Sequence, residues 1–110
     1  MKKILLIDDS DTYTWCLRKY LQHRGYPVKT ASTLKEARAA IQEEMPLVVC
    51  CDLDLPDGSG MDFLDEVRAA DKELPFILAS CHDRDDYEQE AIRRGATLCM
   101  DKMKGLLLQD

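Results

Sequence analysis

Leu47-Val48-Val49-Cys50-Cys51-Asp52-Leu53-Asp54-Leu55-Pro56-Asp57-Gly58-Ser59-Gly60 changes character once, from an apolar run to an acidic turn. Leu47 to Cys51 reads as a short strand in which Cys50 and Cys51 act as small hydrophobes. Asp, Pro and Gly crowd the segment that follows, each favouring a turn for its own backbone reason. Asp52 therefore stands where a strand gives way to a loop.

Outward from this stretch, four further apolar runs read as strands: Lys3 to Ile7, Pro27 to Ala31, Phe76 to Ala79 and Ala96 to Met100. Amphipathic segments separate the runs, which is the pattern of βα units and a parallel sheet. Tyr13, Cys16, Leu17, Tyr20 and Leu21 recur at helical spacing on one face of a first helix, and Gly25 is placed to end it. Trp15 falls outside that stripe and is expected at the surface. Ser32 or Thr33 caps a second helix, with Thr33 and Glu36 spaced as a capping box and Leu34, Ala37 and Ile41 facing inward. Pro46 closes its connection to the third strand. A third helix follows Gly60, with Phe63, Leu64 and Val67 as its buried stripe; a fourth follows Asp85, with Tyr87, Ala91 and, at its margin, Ile92. Right-handed crossovers would stack helices on both faces, so the expected class is α/β with a doubly wound, five-stranded parallel sheet.

A length of 110 residues suits one domain with a single core. After the fifth strand only Lys102 to Asp110 remain, and Gly105-Leu106-Leu107-Leu108 looks like the opening turns of a last helix that is short or missing. Residues 1–110 are therefore expected to be a single domain cut from a longer chain, and a sheet face left bare would favour self-association. Hydrophobic residues make up 45% and charged residues 33%, which excludes disordered and fibrous classes. A net charge of -6 argues against direct nucleic-acid binding, which needs clustered Lys and Arg. Ile4 to Ile7 is cut short by Asp8 and Asp9, far below a signal-peptide core or membrane span, so a cytoplasmic location without a membrane partner is expected. The five cysteines, odd in number and without CxxC spacing, read as reduced thiols rather than as zinc ligands.

In a parallel sheet every strand ends at the same edge, where residues distant in sequence meet. Asp8 and Asp9 follow the first strand, Asp52 the third, Ser80 the fourth and Lys102 the fifth. Three carboxylates there would repel by roughly 4 kcal/mol per pair at ~4 Å and an effective dielectric near 20. A divalent cation and Lys102 would relieve that repulsion. Oxygen-only ligands favour magnesium (Mg2+), which keeps several waters and takes one or two carboxylates plus a phosphate oxygen. The pocket thus suits phosphate: a carboxylate as nucleophile on phosphorus, with the metal, Lys102 and the Ser80 hydroxyl absorbing charge on the equatorial oxygens.

The run Leu5-Leu6-Ile7-Asp8-Asp9, the segment Asp52 to Gly60, the strand-end Ser80, and Gly95-Ala96 ahead of Lys102 resemble the response-regulator receiver family of two-component systems. Order and spacing match over essentially the whole chain. The resemblance implies a flavodoxin-like strand order 2-1-3-4-5. It also implies Asp52 as phosphoacceptor, charged by a histidine kinase or a histidine phosphotransfer protein. Asp9 would be a direct magnesium ligand, Asp8 a ligand through water, Asp52 itself a ligand, and the Asp54 backbone carbonyl a further one. Ser80 and Lys102 would bind the phosphoryl oxygens. Such a protein is a signalling receiver that catalyses its own phosphorylation and dephosphorylation. Two positions depart from the pattern: Cys99, three before Lys102, is commonly aromatic in the family, and Met103 is commonly Pro. A thiol is too small to act as the swinging ring that follows the strand-four hydroxyl.

Simpler readings compete. Asp8 and Asp9 could merely cap the first helix, Asp52 to Gly60 could be only a turn, Ser80 a turn hydroxyl and Lys102 a solvated surface lysine. Their coincidence at one sheet edge favours the site. His82 reads as an exposed loop residue. Asp52-x-Asp54 also resembles the nucleophile motif of haloacid-dehalogenase-type phosphatases, but that family needs its acidic pair last, and Asp8 and Asp9 come first. A further reading keeps the fold as a phosphorylation-independent protein-interaction module.

Overall fold

Residues 2–81 and 83–102 are described by the structure, a computed structural model. The chain runs β1 (Ile4–Ile7), α1 (Asp11–His23), β2 (Val28–Ala31), α2 (Leu34–Glu43), β3 (Val48–Asp52), the two-residue strands β4 (Asp54–Leu55) and β5 (Gly58–Ser59), and α3 (Gly60–Ala70). It continues with β6 (Phe76–Ser80), a 3-10 turn (Arg84–Asp86), α4 (Glu88–Arg93) and β7 (Leu98–Asp101). β4 and β5 form a small antiparallel hairpin. The remaining strands make one parallel sheet in the order β2-β1-β3-β6-β7, which is the expected 2-1-3-4-5 once the hairpin is set aside.

Successive strand side chains point to opposite faces, so the apolar runs feed two cores at once. Leu5, Ile7, Val49, Cys51, Phe76, Leu78 and Cys99 join the core under α2, α3 and α4; Ile4, Leu6, Cys50 and Ala79 join the smaller core under α1. Phe63 of α3 and Phe76 of β6 meet with ring centroids 6.1 Å apart, and both are almost fully buried. On α1, Tyr13 and Leu17 are buried, Tyr20 and Leu21 pack at the margin, and Cys16 is half-buried. Trp15 is 55% exposed, as its place outside the stripe requires.

Local signals end the helices where expected, with two refinements. Gly25, at φ +90°, follows the C-cap Arg24 of α1. Thr33 Oγ1 accepts from the Glu36 amide at 3.1 Å, but the Glu36 carboxylate reaches back to the Ser32 amide, one residue before the cap. Of the residues read on the fourth helix, Ala91 and the N-cap Tyr87 are buried, whereas Ile92 is 48% exposed. The fifth strand begins at Leu98 rather than Ala96, because the Thr97 hydroxyl and amide are spent on the Phe76 amide and carbonyl before the ladder with β6 starts. The expected last helix at Gly105 to Leu108, the bare sheet face inferred from it, His82 and Met103 all lie outside the described residues.

Candidate functional site

The register of the sheet brings the strand ends level. Asp52 pairs with Ala79, and Ser80 with Asp101, so Asp52 and Ser80 finish neighbouring strands at one edge, with Lys102 one residue beyond β7 and Asp8 one residue beyond β1. Asp8, Asp52, Ser80 and Lys102 are the polar and charged residues buried among those described. Ser10 takes the N-cap of α1, its Oγ accepting from the Tyr13 amide at 3.3 Å, while its own amide donates to Asp8 Oδ1 at 2.8 Å. Neither acidic residue is spent as the cap. Gly60 closes the other side: its amide donates to the Leu53 carbonyl at 2.8 Å, and a Cβ there would lie 2.1 Å from the Asp52 carbonyl oxygen. Only a residue without a side chain lets α3 start this close to the end of β3.

Lys102 Nζ lies 2.7 Å from Asp8 Oδ2 and 3.6 Å from Asp52 Oδ2. Carboxylate oxygens of Asp8, Asp9 and Asp52 all fall within 4.8 Å of one another. Asp52 Oδ1 accepts a long hydrogen bond, 3.4 Å, from the Asp54 amide. Burial, then the charge of Asp8, raises the Asp52 carboxyl above the usual range, against the opposing pull of Lys102 and the Asp54 amide. For Lys102, burial favours the neutral amine, but the bond to Asp8 and the charges of Asp52 and Asp8 outweigh it and leave the ammonium firmly protonated. The neighbouring Cys50 thiol is pushed up to about 12 by burial and the charge of Asp8, which leaves it inert as a nucleophile at neutral pH.

This donor set fits a hard divalent cation. Three carboxylate oxygens from the ends of β1 and β3, one ammonium beside Asp8 and Asp52, and a carboxyl raised by burial and then by its neighbour's charge amount to an excess of negative charge that a metal would neutralise. Asp9 is exposed and Asp8 buried. The Asp54 carboxylate is not part of the cluster; it is the Asp54 backbone carbonyl, held by β4, that the family resemblance implies as a metal ligand.

Two roles escape the linear sequence. Asp57, in the turn between β4 and β5, caps α2, its two oxygens accepting from the Leu34 amide at 2.8 Å and the Lys35 amide at 3.1 Å. Those bonds, Leu34 first, lower its pKa. Tyr13, which helical spacing marks as core, lies with its ring centroid 4.5 Å from Lys102 Nζ.

With this geometry the chain belongs to the response regulator receiver domain family, which it matches over residues 4–107. It is 30% identical over 91 residues to the regulatory protein LuxO of Vibrio vulnificus, covering 83% of this chain and 20% of LuxO. It is 40% identical over 96 residues to the transcriptional regulatory protein KdpE of Mycobacterium tuberculosis, covering 87% of this chain and 42% of KdpE. The beryllofluoride-activated receiver domain dimer of NtrC4 superposes with a TM-score of 0.87 at 32% identity, covering 98% of this chain and 92% of that one. The chain thus spans about a fifth of LuxO and less than half of KdpE. It is a signalling receiver domain of the two-component type, and the phosphatase and phosphorylation-independent readings find no support in these likenesses. Among the described residues no helix is long and apolar enough to cross a membrane.

Proposed function

We propose that residues 1–110 act as one receiver unit in which Asp52 takes a phosphoryl group from a histidine of a kinase or phosphotransfer protein. The observation that carries this is the convergence of Asp8 and Asp52 on one buried ammonium, Lys102 Nζ, at 2.7 and 3.6 Å. In the transfer, an Asp52 carboxylate oxygen forms the bond to phosphorus as the donor's P–N bond breaks, and the leaving imidazole keeps the electron pair and takes up a proton. Lys102 neutralises charge gathering on the phosphoryl oxygens from the side of β7, and Ser80, buried at the end of β6, offers them its hydroxyl. Asp8 and Asp9, Asp52 and the Asp54 carbonyl would hold magnesium, which when bound supplies positive charge to the same oxygens. Attack by water on the aspartyl phosphate returns Asp52 and inorganic phosphate, so the domain resets itself. The odd set of five cysteines suits a reducing cytoplasm.

Incubation with acetyl phosphate and magnesium tests the reading. Intact mass should gain one phosphoryl group, lose it on standing, and show no gain in Asp52→Asn or with the metal chelated. A gain in Asp52→Asn would overturn the assignment.

A further inference from the structure

The Lys102 ammonium is held on a third side by something other than oxygen. The Tyr13 ring lies under it with its centroid 4.5 Å from Nζ, inside the range in which the negative face of an aromatic ring attracts a cation. Both partners are shielded: Tyr13 is 8% exposed, and the Lys102 side chain likewise. Such an attraction strengthens as water is removed. The ring is also fixed relative to the carboxylates. Tyr13 N is bonded to Ser10 Oγ and Ser10 N to Asp8 Oδ1, so one short stretch of chain sets both the ring and Asp8. Tyr13 lines, with Asp8, Thr14, Cys50 and Asp52, a void just large enough for one water, about 10 Å³.

An aromatic face attracts the whole ammonium without claiming a particular N–H. A carboxylate, amide or hydroxyl in its place would occupy one of the three donors Lys102 possesses. With the ring beneath, those donors stay available to Asp8, to Asp52 and to an incoming oxyanion, and the ammonium can turn among them without losing its support. A leucine would keep the buried stripe of α1 apolar, so the pattern of the stripe alone does not call for a ring here.

We propose that Tyr13 is a positioning residue for phosphoryl chemistry at Asp52, its ring holding the Lys102 ammonium in place while leaving all of its hydrogen bonds to oxygen. This rests on the reading of Asp52 as phosphoacceptor. The role belongs to the ring face, so Tyr13→Phe should behave as wild type, whereas Tyr13→Leu and Tyr13→Met, which fill the core without a ring, should not.

The test measures two affinities on each folded variant: magnesium alone by calorimetry, and beryllofluoride in saturating magnesium by fluorine NMR. The phosphorylation rate with acetyl phosphate is followed alongside. In Tyr13→Leu and Tyr13→Met, beryllofluoride affinity and rate should fall roughly tenfold, the order expected for one desolvated cation–ring contact, with magnesium affinity unchanged. Two variants guard against one failing to fold. Equal affinities in wild type, Leu and Met variants would overturn the proposal, as would a parallel loss of magnesium binding or failure of Tyr13→Phe to retain function. A wild type that takes neither beryllofluoride nor phosphoryl would overturn the reading of Asp52 and this role with it, which is distinguishable from a wild type that takes both while Tyr13→Leu matches it.

Discussion

Asp52→Asn, made to remove the nucleophile, should also make the metal-free domain more stable. Three terms decide the sign. At 3.6 Å and an effective dielectric near 20, Asp52 gains about 4.5 kcal/mol from Lys102. Asp8, with an oxygen within 4.8 Å, takes back at least ~3.5 kcal/mol by the same rule, and Asp9, as near but exposed and so more screened, adds to that repulsion. The attraction and the repulsion nearly cancel, so the desolvation of a buried carboxylate, several kcal/mol for an unscreened ion, tips the balance against the charge. Burial is likewise the first cause of the raised Asp52 pKa. The amide keeps the shape and sheds these costs, for a net gain of about 1–3 kcal/mol, or roughly 5–15 °C in Tm for a domain of this size. Because a carboxyl with a raised folded-state pKa binds its proton more tightly in the fold, its stabilising share is whole below about pH 4 and is lost as pH climbs through the folded-state value. The variant's advantage should therefore open between roughly pH 4 and neutrality. Magnesium should close it, since saturating ligand at a hundredfold over Kd adds about 2.7 kcal/mol to the form that binds it. Thermal unfolding by circular dichroism in chelator and in magnesium, across this pH range, measures all of it. A less stable Asp52→Asn at neutral pH without metal, or equal stabilisation of both proteins by magnesium, would show that the Asp52 charge does not destabilise the metal-free fold.

Further outcomes follow from the same geometry. Asp57→Asn should lower stability at neutral pH by removing the charge that caps α2; because the Asp57 pKa is depressed, the gap to wild type should close as pH falls below about 4 through that lowered value, as followed by urea unfolding. Gly60→Ala should cost at least about 2 kcal/mol and slow phosphorylation, since its Cβ would collide with the Asp52 carbonyl; unfolding in urea and the rate with acetyl phosphate both report it. Beryllofluoride with magnesium should shift amide resonances in the loops after Asp52 and Ser80 and leave Asp86 to Gly95 nearly still. Cys99 is too small to differ much between two packings, and the Tyr87 hydroxyl ties that region to the Met100 carbonyl at 3.2 Å. Large shifts across Asp86 to Gly95 would count against this.

The sheet was legible because its strands are short, nearly all apolar and separated by segments of helical period; parallel strands end at one edge, which then dictated that Asp8, Asp9, Asp52, Ser80 and Lys102 meet there. What could not be read depends on contacts between distant segments. The β4–β5 hairpin has strands of two residues, too short to show alternation. Asp57 sits in an Asp-Pro-Gly-rich turn and gives no local sign that it caps a helix 22 and 23 residues earlier in the chain. Ile92, read at the margin of the fourth helix's stripe, is exposed: α4 has only six residues, and its inward face is held by Ala91 together with Tyr87 ahead of it. Tyr13 was correctly placed on a buried stripe, but periodicity is blind to what lies across the interface, and only the folded chain puts Lys102 over its ring.

On the proposed function, the phosphoryl group resides on the carboxylate of Asp52. Borohydride reduction of the phosphorylated protein converts an aspartyl phosphate to homoserine at the modified position, and peptide sequencing by tandem mass spectrometry then locates it. Homoserine at position 52 alone, absent when phosphodonor or magnesium is withheld, is the predicted result. Homoserine at 8, 9 or 54, or a phosphorylated protein that yields none, would contradict the account.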